Sequence, residues 1–191
     1  MQLLGLHGFA QVGKDTAGLH LTSGRGFTRY SFADPIREAL YTLDPMLDGT
    51  VSLAMLLDKL DGDWDAAKNH RVYGAEVRRL MQKFGTEVAR DLFGPDVWIK
   101  VAAAAIAEDR PDAAVITDVR FTEEAEWINA QGGQVIEITR PGVLRINGHS
   151  SENGLPRELI SATIANDGSR TVLAHKLDAA LNLTPALANA A

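Results

Sequence analysis

Short β-prone runs alternate along the chain with segments of helical periodicity, and this alternation restricts the possible folds more than any other feature of the sequence. The runs occupy residues 2–7, 28–32, 114–119, 134–139 and 160–165. Strands that alternate with helices form a parallel sheet with helices on both faces. A chain of 191 residues with 46% hydrophobic content has enough apolar material for such a two-sided core. The sequence therefore predicts an α/β fold with a five-stranded parallel sheet covered on both faces.

Helix starts are indicated by capping residues, by proline in a first turn and by acidic first turns. They are expected near Lys14, Asp34, Asp96, Thr122 and Ser169, with the three residues Asp34, Asp96 and Ser169 as caps. A longer helix carries an apolar stripe at helical spacing, which we expect to be buried. The stripe consists of Val77, Leu80, Met81, Phe84, Val88 and Leu92.

The whole chain, residues 1–191, is interpreted as one domain with two irregular segments. Between residues 44 and 71 the pattern changes, and residues 50–60 indicate a short amphipathic helix within an insertion beside the sheet. Residues 141–156 contain three glycines and little periodicity, which is typical of a loop. We expect this second segment to be a loop or lid.

Charge and cysteine content argue against several classes of function. The net charge of −6 opposes binding to nucleic acid or to an anionic membrane, because both require a basic surface. Without cysteine the chain forms neither disulfides nor thiolate metal sites. The sequence shows no signal-peptide pattern and no apolar run of about 20 residues, so it predicts a cytoplasmic protein.

The motif with the most specific chemistry is G-x-x-x-x-G-K, which runs from Gly8 to Lys14 between the first strand and the first helix. Backbone N–H groups of such a loop surround a phosphate, the helix N-terminus adds positive potential, and the lysine reaches the outer phosphate oxygens. The alternative is a glycine-rich turn with a purely structural role. The predicted ligands of the nucleotide phosphates are Gly8, Gln11, Val12, Gly13, Lys14, Asp15 and Thr16.

Asp15 stands where this motif usually has serine or threonine, whose hydroxyl binds Mg²⁺. A carboxylate at that position could bind Mg²⁺ directly or through water. The neighbouring Thr16 hydroxyl could hydrogen-bond the α-phosphate. Asp15 could instead complement the positive N-terminus of the helix, and both interpretations remain open.

Asp118 and Arg120 stand at the end of the third strand, where ligands of open parallel sheets bind. In regular alternation the two side chains point to the same side, so that Asp118 could serve Mg²⁺ while Arg120 holds a phosphate through two hydrogen bonds. The alternative is a structural ion pair.

His7, which ends the first strand, is interpreted as a packed residue rather than a base. Further arginines able to hold phosphates are Arg37, Arg78, Arg79, Arg90, Arg140 and Arg145.

Short motifs follow one another along nearly the whole chain. They are GKDT at 13–16, YSFADP at 30–35, RRL at 78–80, GTE at 85–87, RD at 90–91, DVW at 96–98, DVRF at 118–121, TRP at 139–141, HSSE at 149–152 and NDGS at 166–169. In this order they resemble the deoxynucleoside monophosphate kinases of tailed bacteriophages. The resemblance implies a P-loop kinase fold, ATP as phosphate donor, Mg²⁺, and a deoxynucleoside monophosphate as acceptor.

The same resemblance assigns roles to individual residues and segments. It implies an acceptor-binding helical region at about residues 34–96 and a lid at about residues 141–156. It places Asp34, Arg37, Arg78, Glu87, Arg90 and Arg120 at the acceptor, the loop residues 13–16 at the donor phosphates, and Arg140 and the Asn166 region near the donor base or the closing lid. Arg140 and Asn166 are therefore expected to bind ATP, and the placement of Asp15 and Asp118 described above makes these two the expected metal ligands. The expected catalytic residues are Lys14, Asp118, Arg120 and Arg140.

The expected partners are small-molecule substrates, with neither nucleic acid nor membrane, and a homodimer is possible. A phage-encoded protein of this kind would act in the host cytoplasm. Two alternatives to a nucleoside monophosphate kinase remain open. One is a kinase of dephospho-coenzyme A or another small metabolite, and the other is an ATP-binding module without catalysis.

Overall fold

The computed structural model describes residues 1–143 and 154–183. It divides the chain into two compact units. The first unit contains Met1–Ser31 and the chain from Ala102 onward, and the second contains Phe32–Val101. The second unit begins and ends within a few residues of the helical region predicted at 34–96.

The first unit is built on a parallel sheet whose strands follow the order β2-β3-β1-β4-β5. The strands are β1 Gln2–His7, β2 Thr28–Tyr30, β3 Ala113–Val119, β4 Gln134–Thr139 and β5 Ala162–Ala165. Each pairing is parallel, so the predicted five-stranded parallel sheet is confirmed. The edge strands β2 and β5 are each two residues shorter than predicted, because an edge strand has a hydrogen-bonding neighbour on one side only.

Helices cover both faces of this sheet. In chain order the helices of the two units are α1 Lys14–Arg25, α2 Ala33–Leu43, α3 Leu53–Asp58, α4 Trp64–Lys68, α5 Gly74–Gln82, α6 Ala89–Phe93, α7 Val97–Asp109, α8 Thr122–Ala130 and α9 Arg170–Ala180. Leu4 and Leu6 of β1 pack with Leu21 of α1 and Leu177 of α9 on one face. On the other face Ile128 of α8 lies so close that a Cβ at Gly5 would be 2.6 Å from it.

The second unit is a helical cluster with its own apolar core. The buried residues of that core are Leu40, Leu53, Leu56, Leu57, Ala67 and Val77. One sequence expectation is wrong here. Asp34 lies in the first turn of α2 and not at its cap, because the helix already begins at Ala33. In the polar stretch after residue 60, Asp63 caps α4 by accepting hydrogen bonds from the amides of Asp65 and Ala66.

The long amphipathic helix expected at residues 77–92 is interrupted by a π-helical turn at Lys83–Val88, which joins α5 to α6. Val77 is buried as predicted, whereas Val88 and Leu92 are 42% and 71% exposed. One extra residue in a turn rotates the following helix by about 100°, so the apolar stripe no longer faces the same core. The expectation that the whole stripe is buried is therefore wrong.

The remaining predicted helix starts agree with the structure. Helices α1, α7 and α8 begin at Lys14, Val97 and Thr122. Ser169 caps α9, because its hydroxyl oxygen accepts a hydrogen bond from the amide of Val172 at 3.3 Å. Among the described residues, no helix combines the length and the apolar character needed to cross a bilayer.

Candidate active site

The loop between β1 and α1 is shaped by two glycines in conformations that other residues rarely adopt. Gly8 has φ +138° and Gly13 has φ +109°. A Cβ at Gly8 would collide with the backbone carbonyl oxygen of Ile138 in β4. A Cβ at Gly13 would come within 2.5 Å of the carboxamide nitrogen of Asn166. The G-x-x-x-x-G spacing thus places glycine where the loop lies against β4 and against Asn166.

Replacing Gly8 with alanine is expected to lower the free energy of unfolding by about 2 to 5 kcal/mol, because backbone strain and a backbone collision add together. Gly132→Ala is a matched control, since Gly132 has φ +73° and no atom within 4 Å of its Cβ position. The control should lose about 1 to 2 kcal/mol through strain alone. Urea unfolding of both variants measures the difference, and equal losses would show that β4 does not restrict the loop at Gly8.

The Lys14 side chain folds back across this loop. Its ammonium donates hydrogen bonds to the carbonyl oxygens of Gly8 at 2.6 Å and Phe9 at 2.8 Å. Lys14 is also the first residue of the 12-residue helix α1, and Gly13 before it has no side chain that could cap the helix amides. A lysine charge and the positive end of a helix therefore lie at the same loop, which is the arrangement that binds phosphate.

Asn166 follows β5 and ties the loop to the neighbouring strands. Its side-chain amide donates to the carbonyl oxygen of Val12 at 2.8 Å, and its backbone amide donates to Thr139 at 2.7 Å. Asn166 therefore lies against the loop, and its association with a nucleotide stays a prediction.

His7 is a packed residue, as predicted. It is 5% exposed and its ring Nδ1 lies 2.9 Å from the carbonyl oxygen of Val119, to which a neutral ring donates. Burial lowers the pKa of His7, and the nearby charges of Lys14 and Arg120 lower it further, against the opposing effects of the Val119 bond and of Glu137. His7 is therefore neutral near pH 7 and links the ends of β1 and β3.

Asp118 near the end of β3 is held by a buried serine. The hydroxyl of Ser31, which is 5% exposed, donates to the Asp118 carboxylate at 2.7 Å. The sequence prediction did not include Ser31. Its position immediately after β2, next to β3 in the sheet, is the signal that could have indicated it. A hydroxyl donor at this distance orients the Asp118 carboxylate.

A bulge lies near the end of β3, next to the pair Asp118 and Arg120 for which regular alternation was assumed. Gly5 pairs with Ile116 and His7 pairs with Val119, so β3 has one residue more than β1 in this interval. A bulge changes the direction in which side chains point. Arg120 is exposed just beyond the strand. Its backbone amide donates a hydrogen bond to the buried carboxylate of Glu124 at 2.7 Å.

The predicted residues of the first unit converge on one edge of the sheet. The loop follows β1, Asp118 and Arg120 end β3, Arg140 follows β4, and Asn166 follows β5. All these strands are parallel, so their carboxyl ends lie at the same edge. Ligands of open α/β sheets bind at this edge.

In the second unit, Arg37 is partly bound to a neighbour and partly available. Its Nη1 forms an ion pair with Asp34 at 3.0 Å. Its Nε is buried and has no hydrogen-bond partner among the described residues. A buried N–H donor without an acceptor is costly, and an anionic oxygen would satisfy it.

The other candidate residues of the second unit lie on α5, on the π-helical turn and on α6. Arg78 is exposed and donates to the Asn69 side chain at 2.6 Å. Glu87 pairs with Lys83 one turn earlier at 3.2 Å. Arg90 is half-buried on α6. Their contact with an acceptor stays a prediction, as does the lid, since residues 144–153 and with them Arg145 lie outside the described part of the chain.

The sheet order and the GKDT loop between the central strand and the first helix define a P-loop kinase. The family model of the deoxynucleotide monophosphate kinases matches residues 65–177. A putative deoxynucleotide monophosphate kinase of Acanthamoeba polyphaga mimivirus is 30% identical over 191 residues, which cover 90% of this chain and 91% of the relative. The chain belongs to the deoxynucleotide monophosphate kinase family, so the predicted family and enzyme class are confirmed.

Phage relatives match over a shorter part of their length. The deoxynucleotide monophosphate kinase of Escherichia phage RB69 is 39% identical over 106 residues, which cover 53% of this chain and 43% of the relative. The deoxynucleoside-5'-monophosphate kinase of Escherichia phage T5 is 32% identical over 96 residues, which cover 47% of this chain and 38% of the relative. This chain therefore matches less than half the length of these two phage enzymes.

Proposed function

We propose that this chain transfers the γ-phosphate of ATP to a deoxynucleoside monophosphate and so produces ADP and a deoxynucleoside diphosphate. The observation that carries the proposal is the loop in which the Lys14 ammonium lies over the carbonyl groups of Gly8 and Phe9 at the start of α1. The enzymes of this family are named for nucleoside monophosphates, which supports the choice of acceptor.

On the donor side, the loop amides and Lys14 would hold the β- and γ-phosphates, with Thr16 at the α-phosphate. Transfer breaks the bond between the β–γ bridging oxygen and the γ-phosphorus, and forms a bond from an acceptor phosphate oxygen to that phosphorus. Negative charge that shifts onto the ADP oxygens is stabilised by the nearby ammonium and the helix N-terminus. Arg140, after β4, is proposed as a further donor-side cation.

On the acceptor side, the nucleophile needs little activation. A nucleoside monophosphate is largely a dianion near neutral pH, so a general base is unnecessary and alignment with charge neutralisation suffices. The unsatisfied Nε of Arg37 supports a role in holding this phosphate. The proposed acceptor residues are Asp34, Arg37, Arg78, Glu87, Arg90 and Arg120.

Asp15 and Asp118 fit a magnesium ion bound together with the nucleotide. Mg²⁺ in kinase sites is held by one or two carboxylates, by substrate phosphates and by water. The described residues contain no cluster of three or more possible metal-binding side chains. When bound, Mg²⁺ would neutralise charge on the β- and γ-phosphates. Ser31 would hold the Asp118 carboxylate in orientation.

Replacing Asp15 with alanine is expected to raise the Mg²⁺ concentration that gives half-maximal rate, by about tenfold for the loss of one charge-assisted contact. Asp112→Ala is the control, because Asp112 is exposed and precedes β3 at the opposite edge of the sheet. Rates at varied Mg²⁺ and fixed ATP measure the effect. A lower melting temperature with unchanged Mg²⁺ dependence would assign Asp15 to helix stabilisation instead.

The proposed reaction is tested by incubating the protein with ATP, Mg²⁺ and each of the deoxynucleoside monophosphates in turn. We expect a deoxynucleoside diphosphate and ADP in equal amounts with at least one acceptor. Parallel samples contain dephospho-coenzyme A or no acceptor. Phosphorylation of dephospho-coenzyme A alone would indicate a small-metabolite kinase, and ATP binding without any product would indicate a non-catalytic module.

A further inference from the structure

The side chain of Asn166 contacts the backbone of the phosphate-binding loop rather than open space. Its amide group donates to the Val12 carbonyl oxygen at 2.8 Å and lies against Gly13. The backbone amide of Asn166 is held in turn by Thr139 at the end of β4. The carboxamide is therefore attached to a rigid sheet edge and has little freedom to move away from the loop.

The peptide between Val12 and Gly13 transmits this contact to the site. A trans peptide is planar, and its C=O and N–H groups point in opposite directions. Because the Val12 carbonyl points toward Asn166, the Gly13 N–H points away from it. The hydrogen bond from Asn166 to the Val12 carbonyl therefore fixes the orientation of the peptide between Val12 and Gly13, which lies just before α1.

We propose that Asn166 is a positioning residue, which acts through the Val12 carbonyl to orient the Gly13 N–H toward the donor phosphates. This proposal rests on the proposed function and changes the role of Asn166 within it. The sequence resemblance groups Asn166 with the ATP ligands, whereas its geometry assigns it to the support of the loop. Asn166 then contributes to binding of the triphosphate whatever base the donor carries.

The test compares the parent protein with Asn166→Ala and Asn166→Asp by calorimetric binding of ATP and of inorganic tripolyphosphate, which has no base. Both variants should bind each compound about tenfold more weakly, since one partly buried hydrogen bond to the loop is lost. Asn166→Asp should be the weaker of the two, because it places a carboxylate oxygen against a carbonyl oxygen. The acceptor KM should remain close to that of the parent.

Asn129→Ala is the matched control, because the Asn129 side chain also donates to a backbone carbonyl, that of Leu159, at 3.1 Å. This control should lower the melting temperature to a similar extent without weakening the binding of ATP or of tripolyphosphate. Weaker binding of ATP with unchanged binding of tripolyphosphate would overturn the proposal and indicate a direct contact with the nucleoside. Unchanged binding of both compounds would also overturn it. A parent that fails to bind ATP would instead contradict the proposed function itself.

Discussion

The Lys14→Ala variant is expected to transfer phosphate about 100 to 1,000 times more slowly than the parent, while the fold remains intact. The ammonium lies at the loop that we propose holds the β- and γ-phosphates, and loss of one preorganised donor at a site of developing charge typically costs that much. The Lys14 side chain is half-buried and donates to loop carbonyls. Once the side chain is removed, water can reach these carbonyls and replace the lost hydrogen bonds, so the fold should remain intact.

Steady-state kinetics with a deoxynucleoside monophosphate measures this effect, and circular dichroism with thermal melting checks the fold. Lys100→Ala is the control, because Lys100 is an exposed lysine of α7 that pairs with Asp96 one turn away. The control should keep the parent rate. If Lys14→Ala transfers phosphate within a few-fold of the parent, the loop does not hold the donor phosphates.

Arg120→Lys is expected to lower kcat/KM for the acceptor by about 10- to 100-fold, although the charge is kept. We propose that the Arg120 guanidinium binds two oxygens of the acceptor phosphate, and lysine cannot reproduce this planar pair of donors. A charge-assisted contact of this kind contributes about 1.5 to 3 kcal/mol, which corresponds to that loss. The buried Glu124 carboxylate holds the backbone amide of Arg120, so the side chain starts from a fixed position.

Kinetics with each substrate varied in turn, together with calorimetric binding of ATP, separates the acceptor from the donor. ATP affinity should change little. Arg110→Lys serves as the control, because Arg110 is exposed between α7 and β3 at the opposite edge of the sheet. A defect confined to ATP would move Arg120 to the donor site.

Local patterns were sufficient to predict much of this fold. Apolar runs reveal parallel strands because both faces of such strands are buried, and β1 and β4 were predicted to the residue. The phosphate-binding loop is likewise encoded by neighbouring residues, because positive φ at Gly8 and Gly13 selects glycine. Caps such as Ser169 depend on the next three residues alone.

The π-helical turn shows where local patterns fail. Its apolar spacing is that of a continuous helix, yet Val88 and Leu92 are exposed. The π-helical turn is stabilised by tertiary contacts, which the apolar periodicity of the sequence does not indicate. Trp98 donates a buried hydrogen bond to the Gly85 carbonyl at 2.7 Å, and Ile36 occupies the space that a Cβ at Gly85 would need.

The sequence by itself determined the parallel α/β fold, the phosphate-binding loop and the family, because each depends on residues close together in the chain or on motifs in a fixed order. The tertiary structure alone decided which side chains support the site. Ser31 reaches Asp118 across 87 positions, and Asn166 reaches Val12 across 154. Such partners meet because strand order brings β2 beside β3, and β5 beside β4 near the loop, and no local pattern specifies that order.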